Sequence, residues 1–297
     1  MADIIFISDI LLVSIAFLWL ITASVTDLRK REVPNWLSFS LIFIAFAVRA
    51  LAAIMEKQAP YFWYALAAFA IFYLLAHLFY YTRIFGGGDA KLLMALSVVF
   101  ATQPIFASHF QVYSLGSFNE PFLLIFLINI FFIGSIYGLF FSIFSAIRNK
   151  TFGMEFQKTF KRIRFFRTIS WLIAAIALTL SLFDKSWFFI PFIVFLILPL
   201  LYSFIKAAEN SAMIRKVPAS KLSEGDWIIE SVKIKNKMIK PSIHGLSKKD
   251  IQLLRKSKKK ITIKYGLPFV PVFLIALICS LFVGDLLFII IHYLFGI

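Results

Sequence analysis

Asp27 and Asp89 are the two side chains in this sequence from which chemistry can be argued. Asp89 closes the run Gly86-Gly87-Gly88-Asp89-Ala90-Lys91, at the foot of an apolar stretch. Asp27 lies in Thr26-Asp27-Leu28-Arg29-Lys30-Arg31, at the end of another. A carboxylate at a membrane boundary is costly, so it is paired, solvated or functional. Two carboxyl groups that share one proton can do acid and base work together. Close like charges do not both ionise easily, so one stays protonated near neutral pH while the other takes a proton from water. The two ionisations then belong to the pair. Such a pair can hydrolyse an amide bond.

Each motif also has a plainer reading. The three glycines permit unusual backbone conformations and close approach of a partner chain, which would let Asp89 meet Asp27 and a substrate backbone pass. Equally, the run could be a turn in which Asp89 caps the next helix. Asp27 could be an interfacial charge offset by Arg29, Lys30 and Arg31. Pro34-Asn35-Trp36 reads as a turn, a helix N-cap and an interfacial aromatic anchor. Lys91 either holds the Asp89 carboxylate ionised or extends its amine to the interface.

The elements that position these residues are membrane spans. The chain has 297 residues and is 61% hydrophobic, 18% aromatic and 15% charged. Soluble domains average about 45–50% apolar and about 25% charged. Apolar runs predict about eight spans, near 8–26, 37–55, 62–82, 90–104, 120–147, 168–183, 187–206 and 266–296. The fourth meets Pro104 and could continue with a kink toward Tyr113. The first lacks a basic start and a small-residue cleavage site, and reads as a retained span. Gly284 and Asp285 interrupt the last, and Asp285 reads as a residue near the far interface. The fold class is therefore an all-α polytopic membrane protein with a small α+β insertion on the cytosolic side.

The insertion, 207–264, is polar. Trp227–Val232 and Lys237–Ile239 alternate as strands do, with Lys235-Asn236 near a turn. Ser247 with Asp250 three residues on predicts a capped helix to about Lys256, and Ile261–Lys264 a returning strand. With few apolar residues, this segment is expected to lean on the ends of the spans. The Lys256–Lys260 cluster reads as a solvated face beside lipid. Four parts follow: 1–147 with both aspartate motifs, 148–206 with a basic loop and further spans, 207–264, and the final span from 265.

Charge adds orientation. The net charge is +16, and about 28 of the 31 Lys and Arg fall in segments that one topology puts on the same side. That is the positive-inside bias. It places both chain ends outside, both aspartates at the cytosolic face, and the basic surface against anionic lipid headgroups. No basic-aromatic pattern points to nucleic acid. The single cysteine, Cys279, excludes an internal disulfide and a cysteine-rich zinc site. His77, His109, His244 and His292 are scattered, so neither metal nor cofactor is expected.

Together, Asp27 with Arg29 and Pro34-Asn35, followed by Gly86-Gly87-Gly88-Asp89-Ala90-Lys91, resemble the type IV prepilin peptidases, which are GxGD-type aspartic proteases. The archaeal branch, including preflagellin peptidases, is the nearer likeness. It covers roughly residues 8–105. Weaker likeness covers Leu222–Val232, Gly245–Ile251 and Gly266-Leu267-Pro268-Phe269-Val270-Pro271. The resemblance implies that Asp27 and Asp89 are the catalytic pair, that Gly86, Gly87, Gly88 and Lys91 support them, and that Pro268, Phe269 and Pro271 shape a substrate cleft. The last three could equally form only a helix-starting turn. It implies removal of a short basic leader from type IV pilin-like or archaellin precursors at the cytosolic membrane face. The paired-cysteine zinc module of larger bacterial relatives is missing here, so methylation of the new N-terminus is not expected. A basic face repels a basic leader, so recognition is assigned mainly to the precursor's apolar helix, with Glu32, Glu224, Asp226 or Glu230 as acidic candidates.

Two other readings remain. A presenilin-like intramembrane protease would cut within a span, whereas Asp27 sits at a boundary. A proton-coupled transporter could use both aspartates as a relay, but would show paired repeats, which this sequence lacks.

Overall fold

In a computed structural model the described residues are 4–105, 121–181, 189–222, 225–234, 237–242, 245–256, 260–264 and 266–295. The chain divides into two compact units, one of residues 1–137 with 266–297 and one of 138–265.

The first unit holds α1 (Ile4–Lys30), α2 (Asn35–Met55), α3 (Ala59–Tyr81), α4 (Gly87–Val99), the first part of α5 (Phe122–Arg148), α10 (Val270–Phe282) and α11 (Leu286–Phe295). Its core follows helical spacing. Leu12, Ala16, Leu20 and Ala23 of α1, and Leu37, Leu41 and Ala45 of α2, are buried in one cluster with Phe273 and Leu277 of α10. The alanines let helix backbones approach closely, which is how apolar helices gain contact inside lipid.

α4 is the hub. Every residue from Leu92 to Phe100 is buried, and α1, α2 and α3 pack around it. At about 1.5 Å per residue its 13 residues span only about 20 Å, short of a hydrocarbon core of about 30 Å. Its far end is closed by Arg49, fully buried on α2. The guanidinium donates to the Val98 and Val99 carbonyl oxygens, both at 2.8 Å, and to Thr102 Oγ1 at 3.1 Å. It also lies 4.4 Å from the centroid of the Tyr61 ring, and Tyr61 donates its hydroxyl to Asp9 Oδ1 at 2.7 Å. Carbonyls at a helix C-terminus otherwise lack partners.

Among the described residues, α1, α2, α3, α5, α7 (Arg164–Ser181) and α8 (Phe189–Ala208) with its extension to Met213 are long and apolar enough to cross a membrane. α10 and α11 make a seventh candidate, bent by 60°. Thus six of the eight expected spans stand as such helices. The fourth is the short α4, and its expected continuation toward Tyr113 lies outside the described residues. The eighth breaks where Gly284 takes a φ of 97°. Asn129 of α5 secures this break, donating to Ser280 Oγ at 2.9 Å and to the Gly284 carbonyl at 2.8 Å, and accepting the Leu286 N–H at 3.1 Å. Asp285 caps α11, its Oδ1 accepting the Phe288 N–H at 3.0 Å.

The second unit contains the rest of α5, then α6 (Phe152–Arg162), α7 and α8, a π-helical turn Glu209–Met213, and a small α+β part. Strand β1 (Ile214–Pro218) and β2 (Trp227–Ile228) flank β5 (Lys260–Lys264) in an antiparallel sheet, while β3 (Val232–Ile234) pairs with β4 (Lys237–Ile239). The sequence reading anticipated β4 and β5 but not β1, and the single strand expected over Trp227–Val232 is instead β2, paired with β5, and the start of a separate β3, paired with β4. The expected cap is present on α9 (Lys248–Lys256): the Asp250 N–H donates to Ser247 Oγ at 3.2 Å. Where the segment was expected to lean on span ends, it has its own core of Leu222, Ile228, Ile239, Leu246, Ile251, Leu254, Ile261 and Ile263. β5 supplies two of these and α9 two more, so sheet and helix cover one another. The expected turn at Lys235-Asn236 lies outside the described residues.

Candidate active site

Asp27 occupies the last turn of α1 and is only 6% exposed. The helix stops just beyond it because Arg31 turns into the left-handed region, φ 56°, and gives its N–H to the Asp27 carbonyl at 2.7 Å. The carboxylate faces the start of α10. Asp27 Oδ2 accepts the Val270 N–H at 3.0 Å, and the Phe269 N–H also points to it. The first N–H groups of a helix lack internal partners and carry positive partial charge, so they suit a carboxylate. Arg31 Nη1 ties down the same stretch by donating to the Gly266 carbonyl at 3.1 Å.

This explains the sequence of that turn. Pro271 occupies the second position of α10, where its missing N–H would have had no helical partner. The Phe269 ring packs against Phe85 and Phe273, with centroids at 5.7 and 6.0 Å. It fits a notch at Gly134 of α5, where an added Cβ would meet Phe269 Cζ at 2.6 Å. Pro268, Phe269 and Pro271 therefore build a helix start whose backbone grips Asp27. Sequence reading missed this grip and missed Gly134, although a glycine within a phenylalanine-rich span was the available signal.

Asp89 is the third residue of α4, outside the six spans. Its Oδ2 accepts the Gly86 N–H at 3.1 Å, so it caps its own helix. The glycines serve space more than conformation. Gly86 is extended, with φ −70° and ψ 163°, and among the described residues the left-handed glycines are Gly225, Gly245 and Gly284 instead. A Cβ on Gly86 would lie 3.1 Å from Asp89 Oδ2, and one on Gly88 3.0 Å from Val33 Cβ. At Gly87 it would meet Tyr80 at an ordinary 3.6 Å.

The two aspartates feel each other. Burial first, and then the charge of Asp27, push the Asp89 carboxyl up to about 7, against the Gly86 hydrogen bond that pulls it down. Lys91 takes no part in this: its Nζ donates to Asn35 Oδ1 at 2.7 Å. The same bond occupies Asn35, so α2 starts behind Pro34 with no side-chain cap, where the sequence suggested Asn35 as cap. Among the described residues, no three His, Cys, Asp or Glu side chains gather as a metal site would need.

Residues 14–143, less than half of the chain, match the type IV leader peptidase family. This stretch contains both aspartates and is what the chain shares with that family, which supports a type IV leader peptidase-like protease; the helices are those of a multi-pass membrane protein. No curated protein and no solved structure matches the chain.

Proposed function

We propose that this protein is an aspartic endopeptidase that removes the short basic leader from type IV pilin-like or archaellin precursors, with Asp27 and Asp89 as its catalytic pair at the cytosolic membrane face. The observation that carries the reading is electrostatic. Residues from α1 and α4 put a second carboxyl within reach of the Asp27 charge, and that carboxyl holds its proton to about 7. One proton shared by two carboxyls can supply both the base and the acid for amide hydrolysis by water.

Asp27, held by N–H donors, is the base. It takes a proton from water as the water oxygen bonds to the carbonyl carbon, and Asp89 gives its proton to the carbonyl oxygen. Asp27 then passes the proton it gained to the departing nitrogen as the C–N bond breaks, and a hydroxyl proton of the intermediate returns to Asp89. Gly86 and Gly88 let Asp89 and Val33 pack close to this turn, which holds the Asp89 carboxyl in place. The precursor's apolar helix sets its depth in the bilayer, and the leader junction arrives at the ends of α1 and α4.

Purified protein incubated with a pilin-like precursor tests this, with the products mapped by mass spectrometry. A single cut just before the apolar helix supports it. A cut inside that helix would instead indicate an intramembrane protease, and no cut, with proton flux in proteoliposomes, a transporter.

A further inference from the structure

The core-facing stripe of α5 ends on a hydroxyl. Phe126, Ile130, Ile133 and Tyr137 recur at helical spacing and pack against the same core. Phe126 and Ile130 are fully buried, while Tyr137 is half-buried. α5 runs antiparallel to α10: Asn129 reaches Ser280 and Gly284 at the end of α10, and Gly134 receives Phe269 at its start. One turn beyond Gly134, Tyr137 is level with the stretch that precedes Phe269. The turn from Gly266 to Val270 grips Asp27 through the Val270 N–H and Arg31 through the Gly266 carbonyl. The charges of Asp27 and Arg31 both act on the Tyr137 phenol. Its hydroxyl makes no hydrogen bond to a described residue, although a tyrosine in a packed setting normally finds a partner for its O–H.

We propose that Tyr137 is a third catalytic residue, its hydroxyl donating a hydrogen bond to the carbonyl oxygen of the bond being cut. The inference rests on the peptidase reading above. Addition of water to the carbonyl carbon moves electrons onto that oxygen, and Asp89 delivers a proton there. A fixed O–H donor stabilises the charge that develops before the proton arrives. Tyr137 itself neither gains nor loses a proton. A merely interfacial tyrosine would occupy the same depth through its amphipathic ring, but would contribute nothing specific to the transition state.

The test is Tyr137→Phe, which keeps the ring and removes the donor. Its kcat and KM are measured on a pilin-like precursor beside wild type and Asp27→Asn. The proposal expects kcat to fall about 100-fold with KM within about twofold, the pattern of a lost transition-state contact. Wild-type kcat in Tyr137→Phe, with Asp27→Asn inactive, would overturn the role of Tyr137 alone. A rise in KM with unchanged kcat would likewise overturn it in favour of ground-state packing. A wild-type protein that cuts no precursor would overturn the peptidase reading and this role together.

Discussion

Asp89 is held in a protonation state that costs stability, and this can be measured. Burial and the charge of Asp27 push its carboxyl up to about 7 in the folded chain, from an ordinary 3.8. Between those values the folded state binds the proton more tightly than the unfolded state, so this group's contribution to stability falls as pH rises through the window. Asn has no such titration and can still accept the Gly86 N–H. Asp89→Asn should therefore melt higher than wild type at pH 8, with the advantage shrinking as pH falls toward 4. Parallel melting temperatures across that range would contradict the shifted carboxyl. The glycines make a second residue-scale prediction. Gly88→Ala should cost about 1–3 kcal/mol, because its Cβ overlaps Val33 in a packed site. Gly87→Ala should be neutral or slightly stabilising, since its Cβ has room and glycine is a poor helix former. Thermal melts of the two variants, with equal losses in both, would refute the steric account.

At the scale of elements, the site depends on where α10 starts. The Phe269 ring in the Gly134 notch fixes the Val270 N–H against Asp27. Gly134→Ala should push the ring out, shift the start of α10 and lower cleavage at least 10-fold, as small misalignments at a reacting centre do. Phe269→Leu, which lacks the clashing ring atom, should restore part of that loss in the double variant. A fully active Gly134→Ala would show that the notch does not matter. These elements also show what could be read from the sequence and why. α1, α2 and α3 were legible because their apolar runs are long and end on charge or proline. Ser247 and Asp250 were legible because a capping pair is a local pattern. Asp27 and Asp89 stood out as charge at the ends of apolar stretches. The grip of Val270 on Asp27 was not legible, because it joins residues 243 apart and uses a backbone N–H that every residue but proline carries. Asp9 and Arg49 escaped for the same reason. Their partners are Tyr61 and the end of α4, which come together only in the packed unit. β1 was hidden because its Arg215 and Lys216 break the apolar pattern, and pairing with β5 decides it instead.

At the scale of the whole molecule, charge and bilayer set the orientation. The basic segments 28–36, 83–91, 148–167 and 207–264 should share the cytosolic side with both aspartates. In a Cys279→Ser background, a cysteine at Lys240 should react with a membrane-impermeant thiol reagent only from that side. Reaction from the outside would invert the topology and move the site to the other face. The central claim is that one shared proton on Asp27 and Asp89 drives cleavage, and single-turnover assays of Asp27→Asn and Asp89→Asn address it most directly. The measurement is the rate at which each folded, membrane-inserted variant releases the leader from a pilin-like precursor, read by intact mass beside wild type. The account predicts that both rates fall by about 10³-fold or more, since a dyad missing either partner loses its acid or its base. A wild-type rate in either variant would contradict it.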